Sequence, residues 1–276
     1  MPMKPQTETA ARILLWLTVG YIVVLSAAAA AAPLLAPADP LLQDLPARFA
    51  PPGSPAYPLG ADDFGRDVLS RIIYGARAAL LVGLVSVGIA LAIGLVIGLT
   101  AGLLEGPVDN ALMLLMDAVL SFPTVLLAIT VVSVFGYGLA QVMAAIGVIF
   151  SPLFARIIRA ETLTLKHEPY VMSAYALGTP LRRIVAVHLL PNMLPKIVVQ
   201  CTVAFALAIV IEASLSFLGL GAQPPQPSWG LMLRNARNYL FDAPWLAFYP
   251  GLAIGLTVFS FNLLGDLLNE LLQIRR

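Results

Sequence analysis

The chain has 276 residues, of which 59% are hydrophobic and only 11% charged, with a formal net charge of +1. Soluble domains carry roughly 45–50% apolar and about 25% charged residues, so a water-soluble globule is excluded, and a net charge near zero gives no field that would gather nucleic acid. The few charges are clustered, leaving residues 13–38, 78–104, 118–155 and 243–265 without an acidic or basic side chain.

About 20 apolar residues cross the roughly 30 Å of bilayer hydrocarbon, and the sequence predicts an all-α integral membrane protein with about six transmembrane helices. The first span covers 13–35. It ends in an alanine run, Ala27 to Ala32, that a cleaved signal peptide also shows, but its apolar length exceeds the usual core of about 7–15 residues, so it reads as a retained helix. The second span, 78–103, carries Gly83, Gly88, Gly94, Gly98 and Gly102, which suits close helix packing, with Gly94 and Gly98 spaced as a small-xxx-small pair. Gly136-Tyr137-Gly138 divides the next apolar stretch into a third span, 110–134, and a fourth, 138–157; the fifth covers 196–219 and the sixth 244–268. Pro123 and Pro152 are expected to kink spans three and four.

Lysine and arginine counts orient the spans. Arg156, Arg159, Lys166, Arg182, Arg183 and Lys196 fall between spans four and five, Lys4 and Arg12 precede the first span, and Arg275-Arg276 close the chain. With six spans these share one side, which predicts cytoplasmic termini. The expected division is therefore a cytoplasmic N-terminus 1–12, a first helix 13–35, an external segment 36–77, a five-helix core 78–268 that includes a cytoplasmic loop 158–195, and a cytoplasmic tail 269–276. In the external segment Asp62 or Asp63 is expected to cap an interfacial helix from Phe64 to Tyr74, with Arg66 and Arg71 toward water. A second outer segment, 220–243, holds prolines that cannot continue a helix and Trp229, expected at the membrane interface.

Two acidic residues, Asp117 and Glu212, fall within spans three and five. Ionised groups are costly there, and they are expected to form helix–helix hydrogen bonds that fix packing, or to line a path through the membrane. Cys201 lies alone in an apolar stretch and reads as a packing residue, and His167 and His188 have no cysteine neighbours, so no metal site is predicted.

The segment from Glu168 to Asn192 is too polar to span the membrane. Tyr170, Ala174 and Leu177, then Leu181, Ile184 and Val187, recur at helical spacing, which predicts two short amphipathic helices. Gly178 suits the C-terminus of the first, Pro180 the first turn of the second, and Pro191 is expected to end it.

This segment resembles the signature loop of ATP-binding-cassette importer permeases, a Glu-Ala-Ala pattern followed by glycine and a closing Leu-Pro. Gly178 takes the glycine, Leu190-Pro191 the closing pair and Ala174 the second alanine, while Met172, Ser173 and His188 stand where the glutamate, first alanine and isoleucine would be. Two further stretches are similar to the second, C-type permease subunit of the dipeptide, oligopeptide and nickel importers: Leu59 to Leu69, with Asp62, Asp63, Arg66 and Asp67, continuing to Arg77; and Leu215 to Gly221 with Pro224-Pro225 and Pro227-Ser228-Trp229-Gly230. The tail from Pro244-Trp245 through Pro250-Gly251 to Asp266 continues the likeness.

The resemblance implies a type I importer permease fold and half of a translocation path for peptides across the bacterial inner membrane. It implies coupling to the ATPases through Glu168, Tyr170, Met172, Ser173, Ala174, Gly178, Leu190 and Pro191. It also implies a homologous permease, two cytoplasmic ATPases and an external solute-binding protein as partners. The chain has no phosphate-binding Gly-x-x-x-x-Gly-Lys-Ser/Thr, so it is expected to be no enzyme and to bind no cofactor, with ATP and magnesium used by the partners. Nickel chelates and glutathione-like solutes are alternative cargoes. An ion-coupled secondary transporter using Asp117 and Glu212 is the rival class.

Overall fold

The structure, a computed structural model, describes residues 5–273, of which helices form most and strands none. Lys4, Arg275 and Arg276, the outer parts of the two terminal segments and the side chain of Arg12 lie outside the described residues. Eleven α-helices follow in chain order: α1 (Pro5–Ala30), α2 (Ala32–Leu35), α3 (Val68–Leu104), α4 (Gly106–Leu120), α5 (Thr124–Phe135), α6 (Leu139–Leu165), α7 (Pro169–Ala176), α8 (Leu181–Ile184), α9 (Leu190–Leu218), α10 (Trp229–Ala236) and α11 (Trp245–Gln273). By length and composition α1, α3, α6, α11 and the run Leu181–Leu218 can each cross a membrane. The pair α4 and α5, bent by 91°, passes the same test only when taken together, which brings the count to six if the pair is one span. The third predicted span is thus broken rather than kinked, because Pro123 opens α5 and cannot continue α4.

The centre of the body is the seam between α3 and α6, its largest helix–helix interface. Gly94 meets Phe154 and Ala155, Gly98 meets Ala155 and Ile158, and Gly102 meets Thr162, so the two helices run parallel with their backbones close. Missing side chains allow that approach, and dispersion between backbones replaces the hydrophobic drive that lipid does not supply. The regular recurrence is the predicted small-residue face. Gly88 points into open space and takes no part. α9 covers the seam, with the Phe205 ring against Gly83 and stacked on Phe261 of α11 at 4.1 Å between centroids.

At the end of the body where α3 begins, the structure departs from the expected interfacial helix. The helix starts at Val68, not Phe64, and its cap is Asp67, whose carboxylate accepts from the Ser70 amide at 2.7 Å. From there it runs unbroken into the second span. Arg66 and Arg71 are buried, not turned to water. Arg66 Nε donates to Asp62 at 2.7 Å, Arg71 Nε lies 3.5 Å from the same carboxylate, and Arg71 Nη1 donates to the Pro40 carbonyl at 2.9 Å. Asp62 also accepts from the amides of Phe64 and Arg66. Burial pushes the neighbouring Asp63 carboxyl above its usual range, and the Asp62 charge pushes it the same way. The Tyr57 hydroxyl donates to Asp44 and is likewise raised by that bond.

Trp229, expected at a membrane interface, is instead 2% exposed. Its ring packs beside Gly75 and its Nε1 donates to the Ile72 carbonyl at 3.0 Å. Buried ions thereby pin a segment of loops and short helices onto α3, and the indole ties α10 to the same helix. Removing one partner of such a buried ion set costs roughly 3–5 kcal/mol. Arg71→Ala is therefore expected to loosen residues 36–67, and limited proteolysis of the purified protein would detect the new cleavages together with a lowered Tm.

Candidate functional site: the helical hairpin and its ion-paired base

At the opposite end, α6 runs eight residues beyond the predicted limit of the fourth span and delivers the chain to α7. Glu168 occupies the N-cap of α7, and the Ser173 hydroxyl donates back to the Pro169 carbonyl at 2.8 Å. Gly178 has φ of 74°, a conformation that side chains resist, which lets the Thr179 amide reach the Ala174 carbonyl and the Gly178 amide reach that of Tyr175. The two-helix reading with Gly178 between is what the backbone shows. Pro180 stands at the N-cap of α8 rather than inside its first turn.

Pro191 does not end the second helix. Residues 181–218 run on as one apolar helical stretch. A π-helical turn, Val185–Leu189, precedes the proline, and the Leu190 amide reaches back five residues to the Val185 carbonyl. A proline inside an α-helix clashes with the carbonyl four residues earlier. The wider turn absorbs that misfit, so the hairpin joins α9 without a hinge. His188, which replaces the isoleucine of the pattern, packs its ring 6.0 Å from that of Tyr170.

The hairpin has two faces. Val171, Ala174 and Ile184 are buried against the body. Ala174 therefore packs against the body, while Gly178 next to it stays open. Tyr170, Met172, Tyr175, Leu177 and Leu181 are exposed, Leu177 at 85%, and nothing lies within 4 Å of a side chain built on Gly178. Met172 puts an apolar side chain where the pattern has a carboxylate. Contiguous exposed apolar residues on a polar end of a protein mark an interaction surface.

Beneath the hairpin lies a set of ion pairs that sequence spacing did not reveal, because each joins residues 35 to 61 positions apart. Lys166 pairs with Glu105 and donates to the Gly102 carbonyl at the end of α3. Arg159 grips Asp109 with Nε and Nη2, both at 2.5 Å. Glu161 pairs with Lys196 on α9. The helices entering and leaving the hairpin are thus tied to each other and to α3 and α4.

The two acidic residues within the spans separate. Glu212 is buried and accepts from Ser216 Oγ at 2.6 Å one turn along its own helix, while Ser216 Oγ accepts from the Ala222 amide. It also bonds the Ser228 side chain at the N-cap of α10, so it ties the end of α9 to α10 as a helix–helix bridge. Asp117 likewise bridges two helices, accepting from Arg156 Nη2 of α6 at 2.6 Å. Arg77 stands apart from the buried Asp62–Arg66–Arg71 group and borders an open groove of about 760 Å³ with Tyr74, Pro37 and Gln226.

Comparison with known proteins places this geometry. The family model for the binding-protein-dependent transport system inner membrane component matches residues 94–276. The dipeptide transport system permease protein DppC of Haemophilus influenzae is 40% identical over 258 residues, 92% of this chain and 88% of that protein. The glutathione transport system permease protein GsiD of Escherichia coli is 46% identical over 214 residues, 78% of this chain and 71% of that protein. Among solved structures, an inward-facing conformation of the MetNI methionine ABC transporter superposes with a TM-score of 0.59 at 18% identity, covering 71% of this chain and 93% of that one. These likenesses make the chain a multi-pass membrane permease subunit that works with ATPase and substrate-binding partners, with no catalytic role of its own. The chain belongs to the family of binding-protein-dependent transport system inner membrane components of ABC importers.

Proposed function

We propose that the chain forms half of the path by which an ATP-driven importer takes small peptides into a bacterial cell, and that α7, Gly178 and α8 are the element its ATPase partner grips. The observation that carries the second part is the uncovered apolar face of the hairpin, Tyr170, Met172, Tyr175, Leu177 and Leu181, held on a base of ion-paired helices. The ATPases bind ATP and magnesium, a homologous permease supplies the other half of the path, and a solute-binding protein delivers cargo from outside. On this reading both termini and the hairpin are cytoplasmic, while residues 36–67 and 219–244 face outward. The basic residues at the hairpin end support it. Relatives named for dipeptides and for glutathione support a peptide-like cargo, and glutathione is itself a small peptide. Nickel chelates have less support, since His167 and His188 lie on the hairpin end, away from any path.

Gly178→Arg forces a bulky residue into a left-handed turn on the open face of the hairpin. It is expected to insert and assemble normally, yet to lose ATP-driven uptake in reconstituted vesicles. Leu177→Asp, which leaves the backbone untouched, is expected to lower uptake by about tenfold or more, the equivalent of 1.4 kcal/mol at the contact. Normal uptake by both variants, measured beside ATP hydrolysis, rejects the coupling assignment.

A further inference from the structure

The break between α4 and α5 and the Asp117–Arg156 pair beside it lie within the apolar length of the helices yet are open to the surroundings of the chain. The depth follows from α6. Lys166 marks the polar rim, where it pairs with Glu105. Arg156 is ten residues further along the helix, about 15 Å at 1.5 Å per residue. Its neighbour Ala155 lies against Gly94 and Gly98, within the apolar length of α3. Arg159 is one turn nearer the hairpin and Leu139 opens the same helix about 25 Å away, so in a hydrocarbon layer of about 30 Å the pair lies in the half nearer the hairpin.

At that depth three features are incompatible with lipid. Asp117 and Arg156 have side chains 55% and 52% exposed, and charges in a bilayer turn to protein or water. Ser121, Phe122 and Pro123 leave the helix, and irregular backbone at membrane depth occurs only inside protein or along a water-filled cavity. No side chain caps the first turn of α5, so its leading amides need an outside acceptor. A permanently dry protein interface would satisfy none of these as well as water does. A half-exposed ion pair loses more on desolvation than it gains from its own attraction.

We infer that residues 117–124 and Arg156 line the water-filled solute path, with the ion pair as its charged constriction. This rests on the permease reading above. The path side of this chain is then the α4–α5 elbow, while the buried Glu212 lies off the route.

The test uses the complete importer in liposomes with Cys201→Ala, which removes the chain's single cysteine. Ser121→Cys is labelled with small membrane-impermeant thiol reagents, one anionic and one cationic, at low salt so that nearby charges are not screened. Val24→Cys, on the exposed apolar face of α1, serves as the comparison. Labelling of Ser121→Cys is expected at least several-fold faster than of Val24→Cys, with a rate that changes when the ATPases are trapped by vanadate. The ratio of anionic to cationic labelling is expected to fall in Arg156→Gln and to rise in Asp117→Asn. Lack of reaction at residue 121 in both nucleotide states overturns the inference, and so does a charge ratio indifferent to both variants. Uptake that proceeds without ATP would instead sink the importer reading, and it is measured on the same vesicles.

Discussion

Replacing Gly98 by leucine is expected to leave little or no assembled permease in the membrane, whereas the same change at Gly88 is tolerated. Both glycines belong to α3, ten residues apart, and helix propensity treats them alike. Each glycine costs a helix about 1 kcal/mol relative to alanine, so Gly88→Ala, facing open space, should stabilise slightly. At Gly98 a first side-chain carbon already falls 2.6 Å from the Ala155 carbonyl oxygen and 2.8 Å from Ile158 Cβ. The carbonyl is helical backbone and cannot swing aside. Overpacking a tight core costs roughly 1–3 kcal/mol for extra methylenes. Four added carbons at a backbone contact must separate α3 from α6 along the whole seam. Fluorescence-detected size exclusion of the two leucine variants, with Tm for the two alanine variants, reads the difference. A Gly98→Leu complex as abundant and as heat-stable as the parent would show that the seam is not what holds the body together.

How much of this was legible beforehand depends on the range of the interaction. Span existence followed from charge-free length, a local property, and the spacing of Gly94, Gly98 and Gly102 followed from helical periodicity. The hairpin was legible because Gly178 and Thr179-Pro180 impose local backbone choices. What failed were places where a partner distant in sequence decides. Arg66, Arg71 and Trp229 look like surface residues to a local reading, but Asp62, the Pro40 carbonyl and the Ile72 carbonyl bury them. Pro191 reads as a stop, but a π-turn upstream makes room for it. The ion pairs at the hairpin base were invisible for the same reason: Lys166, Arg159 and Lys196 entered only as charges to be counted for orientation. A signal existed, since α4 and its N-cap carry carboxylates at 105, 109 and 117 facing α6 and its C-cap with bases at 156, 159 and 166. Only an antiparallel pairing of the two helices would have exposed it.

The pair at the centre of that ladder gives the second large effect. Asp109→Arg is expected to abolish ATP-driven uptake, and Asp109→Arg combined with Arg159→Asp to recover a substantial part of it. Asp109 is nearly buried and held by two bonds from one guanidinium, a geometry that fixes orientation as well as distance. The single change sets two guanidinium groups against each other there. The pair is only partly buried, the Arg159 side chain being 33% exposed, but a hydrogen bond to a charged group contributes about 1.5–3 kcal/mol and two are lost here. Each 1.4 kcal/mol is tenfold in an equilibrium. If those terms fall on the conformational cycle, uptake drops by two to three orders of magnitude. The role assigned to the pair is positional. Under the proposed coupling, a push on α7 would move α6, and Arg159 would carry α4 with it toward the elbow at Ser121–Pro123. Static bracing predicts that assembly and ATP hydrolysis fall together with uptake. Transmission predicts that a complex of normal yield keeps hydrolysing ATP while uptake is lost, and that the exchanged pair restores their ratio. A doubly changed complex that assembles fully yet stays as uncoupled as the single variant would exclude the transmitting role, because the exchange returns attraction between the same two helices at the same place.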